Sequence, residues 1–256
     1  MPDGADAAGS FTWPVPEEPP GLDRDARLEV LAHGGIEVVG RMPWSSNGTF
    51  LLTVCADGVV LPAVNKPRRG ERPLWDFPDG TLYERELASF AVSDALGWAL
   101  VPESVDRDGP FGPGVVQRFV HHDPEETYFT LLPEHIERMR EFAVFDVLIN
   151  NADRKGGHCL RDRATGAIFG IDHGLSFHTE GKLRTVIWDF AGDTLTGEER
   201  SAVVRVLCDD DLDARLHALL SHHEVARFRS RAEDLLHAGV FPSPDEGYHS
   251  VPWPLV

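Results

Sequence analysis

Lys66 closes a run, Val59-Val60-Leu61-Pro62-Ala63-Val64-Asn65, that otherwise carries no charge. A lysine at the inner end of such a strand is costly unless an anion meets it. Glu86 follows in the first turns of a helical segment, where a carboxylate holds a strand lysine toward phosphates. Glu84, two residues earlier, points to another part of that helix. Asp153 lies in the polar, glycine-rich stretch Asn151-Ala152-Asp153-Arg154-Lys155-Gly156-Gly157-His158. Asp172 follows the apolar run Ala167–Ile171 and precedes His173-Gly174. Two acids at the mouths of one hairpin suit a base or nucleophile-orienting role for one and a metal-ligand role for the other. Ser46-Asn47-Gly48-Thr49 is a loop of small residues between two strands, and its backbone N–H groups suit phosphate oxygens. It is not a Walker loop, since no GxxxxGK[ST] occurs.

The elements that must position these groups are legible from pattern. Leu28 to Val39 reads as a helix turn and a strand. Phe50–Val54 and Val59–Val64 flank Asp57-Gly58, a strong hairpin signal. Residues 68–80, rich in Arg, Pro and Gly, read as a loop. Leu87, Phe90, Ala91 and Ala95 stripe a helix from about Leu82 to Leu96. Val115–Val120 is a further strand, broken by His121-His122-Asp123-Pro124. A long helix follows from Glu134 to about Asn150. Its Asp146, on the apolar side, reads as a buried carboxylate bonding to loop N–H groups. Cys159-Leu160 and Ala167–Ile171 read as a hairpin, and the rest to about residue 238 as polar-faced helices.

Composition narrows the partners. The formal net charge is −18, from 24 Lys+Arg against 42 Asp+Glu. Such a surface repels nucleic acid and anionic membrane, so neither is expected as a partner. The three cysteines form no CxxC pair, which fits a reducing, cytoplasmic setting. No apolar run approaches the ~20 residues that span a bilayer. His158, Asp172, His173 and His178 suggest a rival metal-dependent hydrolase, but HExxH and other diagnostic spacings are absent. No G-x-S-x-G elbow supports a serine hydrolase.

Taken in order over roughly residues 30–190, these segments resemble the phosphatidylinositol 3- and 4-kinase-like superfamily, particularly its small bacterial members. Ser46-Asn47-Gly48-Thr49-Phe50 looks like the phosphate loop and Val64-Asn65-Lys66-Pro67 like the lysine strand. Tyr83–Ala88 looks like the glutamate helix, and Gln117-Arg118-Phe119-Val120 like the hinge that borders adenine. Asp146–Asn151 with Asp153-Arg154 looks like the catalytic loop, and Ile171-Asp172-His173-Gly174 like the metal-binding segment.

The resemblance implies an α+β, two-lobed protein-kinase-like fold. A flexible arm would cover 1–24, a β-rich lobe 25–122, a helical lobe 123–240 and an extended tail 241–256. It implies ATP with Mg²⁺ or Mn²⁺, and transfer to a protein or small-molecule hydroxyl. Asp153 and Arg154 would be catalytic. Ser46, Asn47, Gly48, Lys66, Glu86, Gln117, Phe119 and Val120 would bind nucleotide, and Asp172 and His158 the metal. Many relatives carry Asn five residues after the catalytic Asp, where this chain has His158. An imidazole there favours Mn²⁺ over Mg²⁺, and it motivates the alternative of a nucleotide-binding pseudokinase. The family's basic lipid-recognition loop is not evident, which with the acidic charge argues against a phosphoinositide acceptor.

Overall fold

The computed structural model describes residues 15–43, 45, 47–245 and 249–256. Asp57 and Gly58 take φ of 50° and 82°, the left-handed pair that a two-residue hairpin turn requires. They join β2 (Phe50–Ala56) to β3 (Val59–Pro67) in register from Ala56–Val59 to Phe50–Asn65. With β1 (Gly35–Arg41), β4 (Ser104–Gly109) and β5 (Gly112–Arg118) they form an antiparallel sheet of order β1-β2-β3-β5-β4. β4 was not expected: Ser-Val-Asp-Arg-Asp-Gly lacks the apolar alternation that announces a strand, and pairing with β5 together with Arg107's bonds to Leu31 O and Gly34 O holds it there. Conversely, the strand expected over Val115–Val120 ends at Arg118. The Arg118 N–H still donates to Glu103 O just before β4 and the Phe119 N–H to Pro62 O in β3, so the backbone stays tied to both neighbours as the strand ends.

One face of the sheet is covered by α1 (Arg24–His33), whose Val30 and Leu31 pack with Leu52, Val54, Leu61, Ala63 and Val116. Asp23 caps its start by accepting the Ala26 N–H at 2.8 Å. Residues 15–23 depart from the expected flexible arm. Glu18 Oε1 receives Arg27 Nε at 2.5 Å, and Pro16 O lies 3.1 Å from His121 Nε2. A carboxylate set between Arg27 and Arg118 anchors this stretch.

α2 (Leu82–Ala95) is buried on most sides and joins the sheet to a helical half. That half holds α3 (Tyr128–Leu131), α4 (Ile136–Ile149), the hairpin β6 (Cys159–Arg161) and β7 (Ile168–Gly170), α5 (Gly197–Leu207), α6 (Asp210–Leu219) and α7 (His222–Ala238). α4 starts later than the apolar pattern implied, because Pro133 sits in a tight turn over Leu132–Glu134. A buried pair, Arg85 to Glu224, ties α2 to α7, and Arg85 also donates to Ser176 O at 2.7 Å. Burial works against the Glu224 carboxylate, but the Arg85 charge outweighs it and keeps the pKa below the ordinary range.

Asn150 ends α4 in the left-handed conformation, φ 52°. Its amide donates to His178 O and Glu180 O, and its Oδ1 accepts the Lys182 N–H. The sharp exit turns Asn151–His158 back across the base of the hairpin. Beyond α7 the last residues return to this loop, where Gly156 N–H donates to Leu255 O at 2.7 Å.

Candidate active site

Lys66 reaches the cleft from the end of β3, Glu86 from the second turn of α2, and Asp172 from the exit of β7. Lys66 Nζ sits 2.5 Å from Glu86 Oε1 and 2.5 Å from Asp172 Oδ1. The sheet, the helix and the hairpin thus meet at one ammonium. Burial opposes that charge, but Asp172 and Glu86 outweigh it and hold the lysine above its ordinary pKa. The same ammonium, first among the causes, holds the Asp172 carboxyl well below the usual carboxylate range.

Asp172 has φ of 60°, in the left-handed region that aspartate tolerates better than most residues. That turn points its half-exposed carboxylate outward. It also lets the next N–H, of His173, donate to Glu86 Oε2 at 3.1 Å. Glu86 therefore orients Lys66 with one oxygen and the Asp172 segment with the other.

Asp153 faces the same cleft from the loop after α4. Its N–H donates to Asn151 Oδ1 at 3.0 Å, and its Oδ2 lies 3.1 Å from Lys155 Nζ. Asp153, Lys155, His158 and Asp172 all line the cleft. His158 Nε2 stands 3.6 Å from Asp172 Oδ2, and burial lowers its pKa, favouring the neutral ring that ligates metal.

Arg154 does not share this position. Its side chain is 0% exposed and turned into the protein, which corrects its expected place beside the reacting groups. Its Nη2 bonds Asp146 Oδ1 at 2.9 Å and also lies 2.7 Å from His173 Nε2. A guanidinium only donates, so His173 Nε2 accepts and Nδ1 carries the ring proton. That Nδ1 has no hydrogen-bond partner and lies 3.9 Å from Glu86 Oε2. Asp146 is also bonded by Asn151 Nδ2 and Thr185 Oγ1. It is buried as expected, but its side-chain partners are side chains rather than loop N–H groups.

The cleft has a volume of ≈ 740 Å³, within the range of small-molecule sites. Asn47, Gly48, Gln117, Phe119 and Val120 line it together with Lys66 and Glu86. The expectation for Ser46 lies outside the described residues. Two of the lining groups are already engaged. Gly48 donates its N–H to Gly70 O at 2.7 Å, and Asn47 Oδ1 accepts the Arg72 N–H at 3.0 Å. Those two contacts fasten the 68–72 segment to the Asn47-Gly48 loop, instead of leaving both groups open as the sequence led one to expect. Gln117 likewise turns its amide to Ser104 Oγ at 2.9 Å, so it borders the cleft as sheet rather than as a free side chain.

Lys155, Arg72 and His122 also line the cleft, and sequence reasoning missed all three. Lys155 sits in the loop already singled out, so its charge beside Asp153 was the available signal. Arg72 had none, because contacts between residues distant in sequence, Gly48–Gly70 and Asn47–Arg72, bring its loop to the cleft. A Cβ on Gly70 would come 2.5 Å from Gly48 O, so this approach requires glycine.

Two donors, Asp172 and His158, suit a divalent ion by their chemistry, and among the described residues no group of three or more His, Cys, Asp or Glu stands together to hold one. One half-exposed carboxylate stands beside a neutral imidazole, with a fixed cation for phosphate. Because an imidazole suits Mn²⁺ better than Mg²⁺, ATP should raise the melting temperature more in Mn²⁺. His158→Asn should bring the two metals level. Equal shifts in the two metals with the wild-type protein would show that His158 is no ligand.

Comparison with known proteins follows this geometry. A sequence model of the family phosphatidylinositol 3- and 4-kinase matches residues 92–193. The matched stretch contains Asp153, His158 and Asp172. Protein Rv2133c of Mycobacterium tuberculosis is 40% identical over 268 residues, covering 90% of this chain and 96% of that protein. Among solved structures, the Helicobacter pylori proinflammatory kinase CtkA superposes with a TM-score of 0.52 at 12% identity, covering 82% of this chain and 94% of that one. Hydra Fam20 with sugar gives 0.53 at 13% identity, covering 82% and 87%. The Golgi casein kinase with Mn/ADP bound gives 0.51 at 13%, covering 84% and 74%. The fold is therefore α+β and protein-kinase-like, with an antiparallel sheet and a helical half.

Proposed function

We propose, for a chain that belongs to the phosphatidylinositol 3- and 4-kinase-like superfamily, that it transfers a phosphoryl group from ATP to a hydroxyl of a protein or small molecule. The observation that carries this reading is Lys66 Nζ held between Glu86 and Asp172, in one cleft with Asp153. Residues 25–122 and 123–240 are read as the two lobes whose junction forms that cleft. The Mn/ADP-bound Golgi casein kinase, of similar fold, supports nucleotide and metal as the cleft's occupants. Among the described residues no helix is long and apolar enough to cross a membrane.

The roles follow from position. Lys66 holds the phosphates as a fixed cation, and Glu86 keeps that cation aimed. Asp172, with His158, would hold a divalent metal, which when bound neutralises charge on the phosphate oxygens. Asp153 takes the acceptor hydroxyl's proton as the hydroxyl oxygen bonds to the γ-phosphorus and the bridging P–O bond to ADP breaks. Lys155, 3.1 Å from Asp153, keeps that carboxylate in place before transfer. Arg154 and Asp146 set the loop and touch no substrate.

Thermal unfolding tests the reading directly. A ligand that binds only the folded state at a hundredfold excess over its Kd stabilises it by about 2.7 kcal/mol, a rise of about 5–10 °C for a chain this size. ATP with Mg²⁺ or Mn²⁺ should produce that rise, and Lys66→Ala should remove most of it. No shift by any nucleotide with either metal would sink the proposal.

A further inference from the structure

We infer that the segment Arg68–Gly80, beside the cleft, is the docking site for an acidic peptide segment flanking the acceptor hydroxyl. This deepens the phosphotransferase reading and rests on it for the chemistry, though not for the binding. A second cavity of ≈ 350 Å³ opens here, lined among others by Arg68, Arg69, Arg72, Leu74, Phe77 and Pro78. Arg72, Leu74, Glu71 and Leu82 line both this cavity and the cleft, so one surface continues into the other. A bound chain can therefore lie along the cavity and place a side-chain hydroxyl at Asp153.

Charge identifies the occupant. The chain carries a net −18, yet Arg68, Arg69 and Arg72 are all exposed on this one segment. Among the described residues Arg69 and Arg72 have no ion-pair partner. Of the segment's three carboxylates, Glu71 accepts the N–H groups of Leu82 and Tyr83 at 3.1 and 2.9 Å, capping α2, Asp76 pairs with Lys182 at 2.7 Å, and Asp79 lines the cavity without an ion pair to either arginine. Guanidinium forks left open in this way match carboxylates. Trp75 stands beside them, 93% exposed, with Lys182 Nζ 5.0 Å from its ring centroid. Exposed Trp and Arg together are the residue types that dominate protein-binding surfaces.

The surrounding field sets the size of the partner. A strongly acidic globular surface or an anionic bilayer is repelled by the rest of the molecule. A short acidic segment entering the cavity comes within a Debye length, ~8–10 Å, of the arginines while most of the chain stays beyond it.

Fluorescence anisotropy on the full chain, without nucleotide, tests this. The probes are a fluorescein-labelled peptide with one serine among glutamates, and its glutamine counterpart. The glutamate peptide should bind at least about tenfold more tightly at low salt, and that preference should shrink as salt rises. Arg69→Glu should reduce its affinity at least about tenfold, and Trp75→Ala should weaken both peptides. Unliganded melting curves of the two variants confirm that they are folded. Equal binding of the two peptides overturns the inference, as does full binding by a folded Arg69→Glu protein. Binding to phosphatidylserine vesicles with no binding of the glutamate peptide also overturns it, in favour of a membrane surface. ATP stabilisation without peptide selectivity defeats this inference alone. Peptide selectivity without any nucleotide shift keeps the docking site and defeats the phosphotransferase reading.

Discussion

Asp153→Asn and Asp172→Asn are expected to cut phosphoryl transfer at least about a hundredfold, by different routes. The Asp153 carboxylate pairs with Lys155, its N–H donates to the Asn151 side-chain oxygen, and neither meets Lys66. The proposed work of Asp153 is on the acceptor's proton, and loss of a positioned base lowers rate by about 10²–10⁴-fold. ATP with metal should still stabilise the Asp153→Asn protein by nearly the wild-type amount. Asp172 is different, because it is both the candidate metal ligand and one of the two carboxylates on Lys66. An amide there removes a charged ligand, so the metal-dependent part of the ATP shift should vanish along with transfer. Melting curves with and without metal, beside transfer of the γ-labelled phosphate, separate the two cases. Equal and complete loss of ATP binding in both folded variants would contradict these roles.

The second large effect lies below the cleft. Asp146 is buried and receives Arg154 through both Nε and Nη2, with Asn151 and Thr185 on its remaining lone pairs. Arg154 in turn donates to His173, whose backbone N–H is held by Glu86. Asp146→Leu leaves a guanidinium in the core with no counter-charge. Breaking a buried pair in this way costs about 3–5 kcal/mol, or roughly 6–20 °C in Tm for a chain of this size. Asp146→Leu combined with Arg154→Met should regain much of that stability, since a well-packed apolar pair replaces an ionic one at little cost. Transfer should stay low in the double variant, because Asn151 and His173 lose the partners that set the loop. A single Asp146→Leu variant that melts within a degree or two of wild type would show that the pair contributes nothing to the fold.

The likeness in sequence and the superposed structures agree on the overall plan for a physical reason. Hydrophobic period, turn chemistry and charged residues at element ends are local properties. Asp57-Gly58 dictates a tight hairpin because both residues tolerate positive φ. The α2 stripe dictates a buried helix that carries Glu86 inward. Lys66 at the end of an apolar strand demanded an anion, and the structure supplies two.

Local pattern was silent where a contact depends on partners distant along the chain. β4 exists because β5 pairs with it. The 15–23 segment is held because Arg27 and Arg118 converge on Glu18. Arg154 stands next to Asp153 in sequence, yet the loop sends the two side chains to opposite sides. Asp146, fixed one turn before the end of α4, is what draws Arg154 inward. Gly48 and Asn47 face the cleft as their loop suggested, but Gly70 and Arg72 had already claimed their hydrogen bonds. By itself the sequence determined which residue types stand at which element ends, and from that the expectation of a phosphate-handling cleft. Only the tertiary structure decided which of those groups face the reacting atoms and which brace the loop, because the two outcomes differ in partners across the fold and not in any feature of the neighbouring residues.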